Sequence, residues 1–341
     1  MPQTNHPDWM TQIVISAPGE PSVLRAQGAP VPTPAAGDVL VRVEAAGINR
    51  PDVLQRQGHY PMPPGVTPVP GLEIAGVVVA VGPGVDGWAP GDRVCGLTNG
   101  GGYAEFCLVP AGQLLPIPRG FDAVQAAALP ETFFTVWANL FGLGRARAGD
   151  RVLIHGGSSG IGTTALLLCR EFGIEAFATA GDEAKCDAIR ALGGTAIQYR
   201  TTDFSETILQ ATDGRGVDVV LDIMGGSYFD RNLSVLARDG RLVVIGFMGG
   251  RYATSVDLQS LVLKRVVVTG STMRSRSPEE KAEIARELRE RVWPVLEAGR
   301  CLPVLDRVFP FLEAAEAHRH MESGAHVGKI VLRVSETPSP L

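Results

Sequence analysis

Apolar and polar positions repeat with two different periods along the chain, and the change of period divides it. From Val39 to Ala45 (VLVRVEA) they alternate, which predicts a half-buried strand. Glu73 to Val81 (EIAGVVVAV) is more continuously apolar and predicts a more deeply buried one. Turns bearing Pro and Gly separate such pieces at Pro34–Asp38, Pro61–Gly65 and Gly82–Gly87. Short strands punctuated this often predict a partly closed antiparallel barrel.

Near Pro130 the texture changes. Arg151–His155 (RVLIH) reads as a short buried strand. Gly160–Phe172 reads as a helix, with Ile161, Ala165, Leu168 and Phe172 spaced by threes and fours. Ala176–Ala180 is the next strand and Ala184–Leu192 the next helix. Val217–Ile223, Arg241–Ile245 and Val266–Thr269 follow as strands. This βαβ alternation predicts a doubly wound parallel sheet. A charged amphipathic helix, Glu279–Glu297, precedes two more short strands, Val304–Phe309 and Gly328–Val334. The β-rich texture has returned, so the fold class is α/β with one domain inserted into another. Residues 1–128 and 277–341 make the β-rich domain, and residues 129–276 the parallel-sheet domain.

Composition adds exclusions. A net charge of −5 offers no basic footprint, so nucleic acid is not an expected partner. No stretch reaches the roughly 20 apolar residues of a membrane span. The five cysteines are odd in number and scattered, with no C-x-x-C pair. They make neither a disulfide framework nor a four-cysteine zinc lobe, and a reducing cytoplasm is the expected setting. Met1–Trp9 is polar and reads as a loose extension, with Met10 an alternative start; Ser335–Leu341 reads as frayed.

The strongest local motif is His155-Gly-Gly-Ser-Ser-Gly-Ile-Gly162, between a predicted strand and a predicted helix. Gly157, Gly160 and Gly162 permit a tight turn and close approach. Amides of Ser158, Ser159, Gly160 and Ile161 at the helix start then suit an anion, with a dinucleotide pyrophosphate the usual occupant. The second strand ends at Ala180 without the carboxylate that usually holds an NAD ribose. A small residue there leaves room for a 2′-phosphate that Lys185 could neutralise, although Asp182 and Glu183 oppose it. NADP(H) is therefore favoured over NAD(H).

Several segments together resemble one family. They are Asn49-Arg-Pro-Asp-Val-Leu-Gln-Arg-Gln-Gly-His-Tyr60-Pro61, Gly71–Gly76 (GLEIAG), Ala126–Glu131 (AAALPE), the glycine turn, Asp222–Tyr228 (DIMGGSY) and Val327–Val331 (VGKIV). The chain is similar over residues 10 to 335 to zinc-independent quinone oxidoreductases of the medium-chain dehydrogenase/reductase superfamily. The resemblance implies a GroES-like β-barrel catalytic domain plus a Rossmann doubly wound parallel-sheet nucleotide-binding domain, a substrate cleft between them, and a homodimer. Zinc alcohol dehydrogenases of the superfamily carry Cys where this chain has Asn49 and His where it has Leu72, so no metal is expected.

Without a metal, hydrogen-bond donors must polarise the acceptor oxygen. The resemblance points to Asn49 and Tyr60 as the catalytic pair. A packing role for Tyr60 stays open, and Asp52 reads as a local cap. The resemblance also assigns cofactor contacts to Thr135, Tyr199 near the adenosine phosphate, Ile223, the loop Ile245-Gly246-Phe247-Met248, Ser271 and Lys329. His318 and His320 lie two apart and cannot share one helical face. With His326 they read as a solvated cluster, not a metal site. Cys95 and Cys107 read as small buried apolar residues. The expected activity is hydride transfer from NADPH to a quinone. The alternatives are reduction of 2-alkenals or enones with the same parts, and NADPH binding without catalysis.

Overall fold

The computed structural model describes residues 6–60, 62–63 and 65–334. The chain divides into two compact units. One comprises Met1–Phe134, Arg276–Ala298 and Leu305–Leu341; the other comprises Thr135–Ser275 and Gly299–Val304. Most of the expected N-terminal extension, the residues beyond Val334 and the prolines at 61 and 64 lie outside the described residues. Trp9 is not loose. It opens β1 (Trp9–Ile15), which pairs antiparallel with β2 (Leu24–Pro30).

The first unit continues with β3 (Asp38–Ile48), the helix α1 (Arg50–Arg56), and strands β4 (Glu73–Val81), β5 (Arg93–Leu97), β6 (Phe106–Pro110) and β7 (Leu114–Pro116). Strand β3 is more buried than its alternation predicts because β4 and β6 both pair with it. Glu44, a polar position expected to face water, is buried and ion-paired to Arg42 and Arg93 at 3.9 and 3.5 Å. Short helices α2 (Ala123–Ala126) and α3 (Pro130–Val136) follow.

The second unit holds the predicted alternation: β8 (Arg151–Ile154), α4 (Gly160–Glu171), β9 (Glu175–Ala180), α5 (Glu183–Ala191), β10 (Thr195–Gln198), α6 (Phe204–Ala211), β11 (Val217–Asp222), α7 (Phe229–Val235), β12 (Leu236–Val244), α8 (Leu258–Lys264) and β13 (Val267–Gly270). The strands lie in the order β10-β9-β8-β11-β12-β13, and every pairing is parallel. Successive connections leave β8 in opposite directions, so the order reverses between β8 and β11. That reversal opens a crevice at the carboxyl ends of these strands, where ligands of such sheets bind. Leu153, Phe177, Val220, Leu233 and Leu242 form the core beneath it.

Back in the first unit come α9 (Pro278–Arg291), α10 (Trp293–Glu297), β14 (Leu305–Pro310), α11 (Ala314–Ser323) and β15 (Lys329–Arg333). The single helix expected over Glu279–Glu297 breaks at Val292. Pro294 has no N–H to continue the ladder, so a second short helix starts there. Strand β15 pairs antiparallel with β3, its residue Ile330 opposite Ile48, and parallel with β14. The last strand of the chain therefore completes the sheet begun by the third.

Candidate active site

At the carboxyl end of β8 the glycine turn is built as the motif requires. Gly156 has φ +71°. A Cβ on Gly162 would lie 2.3 Å from the Gly156 carbonyl oxygen and 2.5 Å from Gly157 Cα, both backbone atoms. Ser159 caps α4: its Oγ accepts from Gly162 N–H at 3.0 Å and donates to Gly156 O at 2.8 Å. The amides of Ser158, Gly160 and Ile161 then have no partner among the described residues. They form the donor cluster a pyrophosphate needs. Ser159 N–H instead closes the turn onto Gly156 O.

The root of the turn is a buried hydrogen-bond chain. Gly156 N–H donates to Thr179 Oγ1, whose hydroxyl faces His155 Nδ1 at 3.1 Å; His155 Nε2 faces Asn232 Oδ1 at 2.7 Å. A proton on Nε2 satisfies this arrangement. Burial lowers the His155 pKa to about 4, so the ring is neutral.

Three further loops meet at the same strand ends. Ile245 N–H bonds Asp222 O, Met248 N–H bonds Ile223 O, and Gly249 N–H bonds Met224 O. The Ile223 side chain fills the space in front of Gly156. Asp222 anchors this junction by accepting from the amides of Met224 and Gly225; burial raises its pKa to about 6. Ser271 donates to Asn139 Oδ1, and Asn139 Nδ2 donates to Thr135 O. Asn139 lies in a π-helical stretch, Trp137–Leu143, a form that recurs at functional sites. The Thr135 hydroxyl is buried and has no hydrogen-bond partner among the described residues. Ile223, Ile245–Met248, the glycine turn, Ser271 and Thr135 thus all belong to the second unit, and a cavity of about 530 Å³ is lined by Ile245, Phe247 and Ser271.

Strand β9 ends at Ala180, as expected. A Cβ on Gly181 would meet Tyr199 Oη at 3.0 Å and Arg200 Nε at 3.6 Å. Arg200 is exposed and has no ion-pair or hydrogen-bond partner among the described residues. Lys185 stands 3.9 Å from the Asp182 carboxylate, which caps α5 by accepting from Lys185 N–H. Asp182, expected to oppose a phosphate, caps the helix and keeps its negative charge there.

In the first unit Asn49 does not lie in mid-strand. It follows β3 and starts α1, where the Asp52 carboxylate accepts its backbone N–H at 2.8 Å. Asp52 also accepts from Gly71 N–H and Tyr103 O–H, so it is the expected cap. The Asn49 side chain is buried between two charges. Its Nδ2 donates to Glu73 Oε1 at 2.9 Å, and its Oδ1 accepts from Lys329 Nζ at 2.5 Å. Lys329 also meets Glu73 Oε1 at 2.5 Å and Ile48 O at 3.1 Å. Three acceptors use all three ammonium protons, which leaves none for the cofactor contact that the resemblance implies. Glu73, which sequence reasoning did not single out, is fully buried and also accepts from Glu131 N–H.

Tyr60 is half-buried and lines a cavity of about 270 Å³ with Val14, Ile15, Gln55, Met62 and Pro68. The histidine cluster is not uniformly solvated. His318 is fully buried, with Nε2 3.1 Å from Tyr103 Oη, while His320 pairs with Asp306 at 2.6 Å. Two residues apart on α11, one ring faces the core and the other the rim. All five cysteines are free and buried, and burial pushes the Cys107 thiol up to about 12.

A parallel sheet whose order reverses at a phosphate-accepting turn, joined to a β-rich unit made from both chain ends, defines a medium-chain dehydrogenase/reductase. Comparison agrees. Residues 35–119 match the alcohol dehydrogenase GroES-like domain and residues 192–332 the zinc-binding dehydrogenase domain. Rat quinone oxidoreductase is 32% identical over 92% of this chain and 94% of its own length. The Escherichia coli quinone oxidoreductase structure complexed with NADPH is 29% identical, with TM-score 0.83 over 95% of this chain and 100% of that one. The CurK enoyl reductase structure is 31% identical, with TM-score 0.83 over 96% and 100%. The chain belongs to the quinone oxidoreductase family of this superfamily and is an oxidoreductase.

The donor set does not fit the zinc ion in the second domain's description. Leu72 offers no ligand, and Asn49 and Glu73 already hold an ammonium between them. Among the described residues no group of three or more His, Cys, Asp or Glu is placed to hold a metal.

Proposed function

We propose that this protein reduces quinones with NADPH and without zinc. The observation that carries the reading is the Asn49 carboxamide. One of its N–H groups and its oxygen are committed to Glu73 and Lys329, so its second N–H is the donor it can present to an acceptor oxygen. Tyr60 is the second donor. A hydrogen bond to oxygen that strengthens as negative charge develops lowers the barrier.

The cofactor supplies the hydride. The amides of Ser158, Gly160 and Ile161 hold its pyrophosphate, and Arg200 with Lys185 and Tyr199 holds the 2′-phosphate beside Gly181. Ile223, Ile245–Met248, Thr135 and Ser271 flank its nicotinamide end. The complexed Escherichia coli relative supports the choice of NADPH.

The test is a steady-state assay of NADPH and NADH against quinones and enals. Equal or better use of NADH would sink the cofactor assignment, and tight NADPH binding with no turnover of any acceptor would leave a binding protein. The likeness to an enoyl reductase supports a second reading, reduction of activated alkenes by the same residues. Faster turnover of enals than of quinones would favour it.

The active form we propose is a homodimer. Strand β13 is an edge strand with Val267 and Val268 exposed, and α8, which packs on β12, exposes Leu258, Val262 and Leu263. An unpaired apolar edge of this kind suits twofold pairing with a second copy. Val268→Lys should convert the species seen by light scattering to a monomer. Five reduced cysteines suit the cytoplasm, and no helix among the described residues is long and apolar enough to cross a membrane.

A further inference from the structure

A buried Lys–Glu pair gives a fold little net stability, because desolvating both charges offsets their attraction. Lys329 and Glu73 are nevertheless almost wholly out of water, at 4% and 0% exposure. The backbone is shaped around them: a Cβ at Gly47 would fall 2.1 Å from Glu73 Oε1, so only glycine leaves room for the carboxylate. Pairs kept in this way need a reason other than stability, and the third member of the cluster supplies one.

A carboxamide can turn over by half a rotation, exchanging its oxygen for its nitrogen. Here it cannot. Lys329 can only donate, and Glu73, as the carboxylate paired to it, can only accept. The turned-over amide would set N–H against ammonium and oxygen against carboxylate. We propose that Lys329, clamped by Glu73, is a positioning residue for Asn49, and that its ammonium does from within the chain what a metal cation would otherwise do at this place. It fixes which edge of the amide faces the acceptor. By drawing charge onto Oδ1, it also makes the outward N–H a stronger donor. No bond is made or broken at Lys329.

The inference rests on Asn49 being the donor to the acceptor oxygen, and one series of variants separates the two ideas. Asn49→Ala tests the donor. Lys329→Met/Glu73→Gln removes both charges at once, so no buried charge is left unpaired, and it takes away the donor-only ammonium that fixes the amide's orientation. For this double variant we expect wild-type thermal stability, NADPH affinity by fluorescence titration within about twofold, and kcat on menadione reduced roughly ten- to a hundredfold. Adding Asn49→Ala to the double variant should then cost little more, because the two changes remove the same hydrogen bond. If Asn49→Ala turns over at the wild-type rate, the reading of Asn49 fails. If Asn49→Ala is slow and the double variant is not, the positioning role of Lys329 is overturned. Weakened NADPH binding with kcat retained would also overturn it, in favour of a cofactor contact.

Discussion

Gly47→Ala is the smallest change that should expose the buried cluster. The new methyl would sit 2.1 Å from Glu73 Oε1 and 2.7 Å from the Ala127 carbonyl oxygen. The backbone oxygen cannot retreat, so the carboxylate must. Moving it by the ångström or more that van der Waals contact demands breaks its 2.5 Å contact with Lys329 and its 2.9 Å bond from Asn49. Overpacking costs about 1–3 kcal/mol. Leaving a buried charge unpaired costs about 3–5 kcal/mol. The reduced freedom of the unfolded chain returns about 0.4–1 kcal/mol. A net loss of about 3–8 kcal/mol follows, a large part of a domain's ordinary stability. The assay is equilibrium urea unfolding, with Gly28→Ala as control. A Cβ there meets nothing within 4 Å, and the change should stay within about 0.5 kcal/mol. Shortening the carboxylate with Glu73→Asp in the Gly47→Ala background should recover part of the loss. A cost below about 1 kcal/mol for Gly47→Ala would refute the packing argument.

Three further outcomes are expected. Gly162→Ala drives a methyl into the backbone of Gly156 and Gly157, so NADPH titration should show binding lost. Arg200→Ala should weaken NADPH about tenfold or more while leaving NADH affinity within twofold; equal losses would remove Arg200 from the 2′-phosphate site. His155 is neutral in the fold, with its pKa lowered to about 4, whereas the unfolded chain protonates it near its usual ~6.5. Its contribution is present above pH ~6.5 and is lost as pH falls toward about 4, by up to about 3 kcal/mol. Urea midpoints for wild type and His155→Gln should diverge less at pH 4.5 than at pH 7, and a constant gap would contradict this.

The parallel-sheet unit was largely legible because its signals are local. The run from Arg151 to Gly162 names a strand, a turn and a helix start in twelve residues, and β9 ends where its apolar run ends. The Asp52 cap was legible from the segment it shares with Asn49. The partners of Asn49 were not. Lys329 lies 280 residues away, and no spacing rule links a lysine in one strand to an amide at the end of another. Glu73 had a polar letter in an apolar run and no sign that it faces inward. His318 was misread because the three nearby histidines were grouped as one solvated cluster, and only the packing of α11 sets buried His318 apart from His320.

Strand β15 also sets an order of events. Translation at about 5–20 residues per second would place roughly 15–60 s between the emergence of Asn49 and that of Lys329. Within that interval the parallel-sheet unit can finish folding, while the β-rich unit lacks the strand that joins β14 to β3 and the cation that balances Glu73. A nascent chain thus holds its nucleotide-binding half ready before the half carrying Asn49 can close. A chain cut short before β15 would keep the first half and never complete the second.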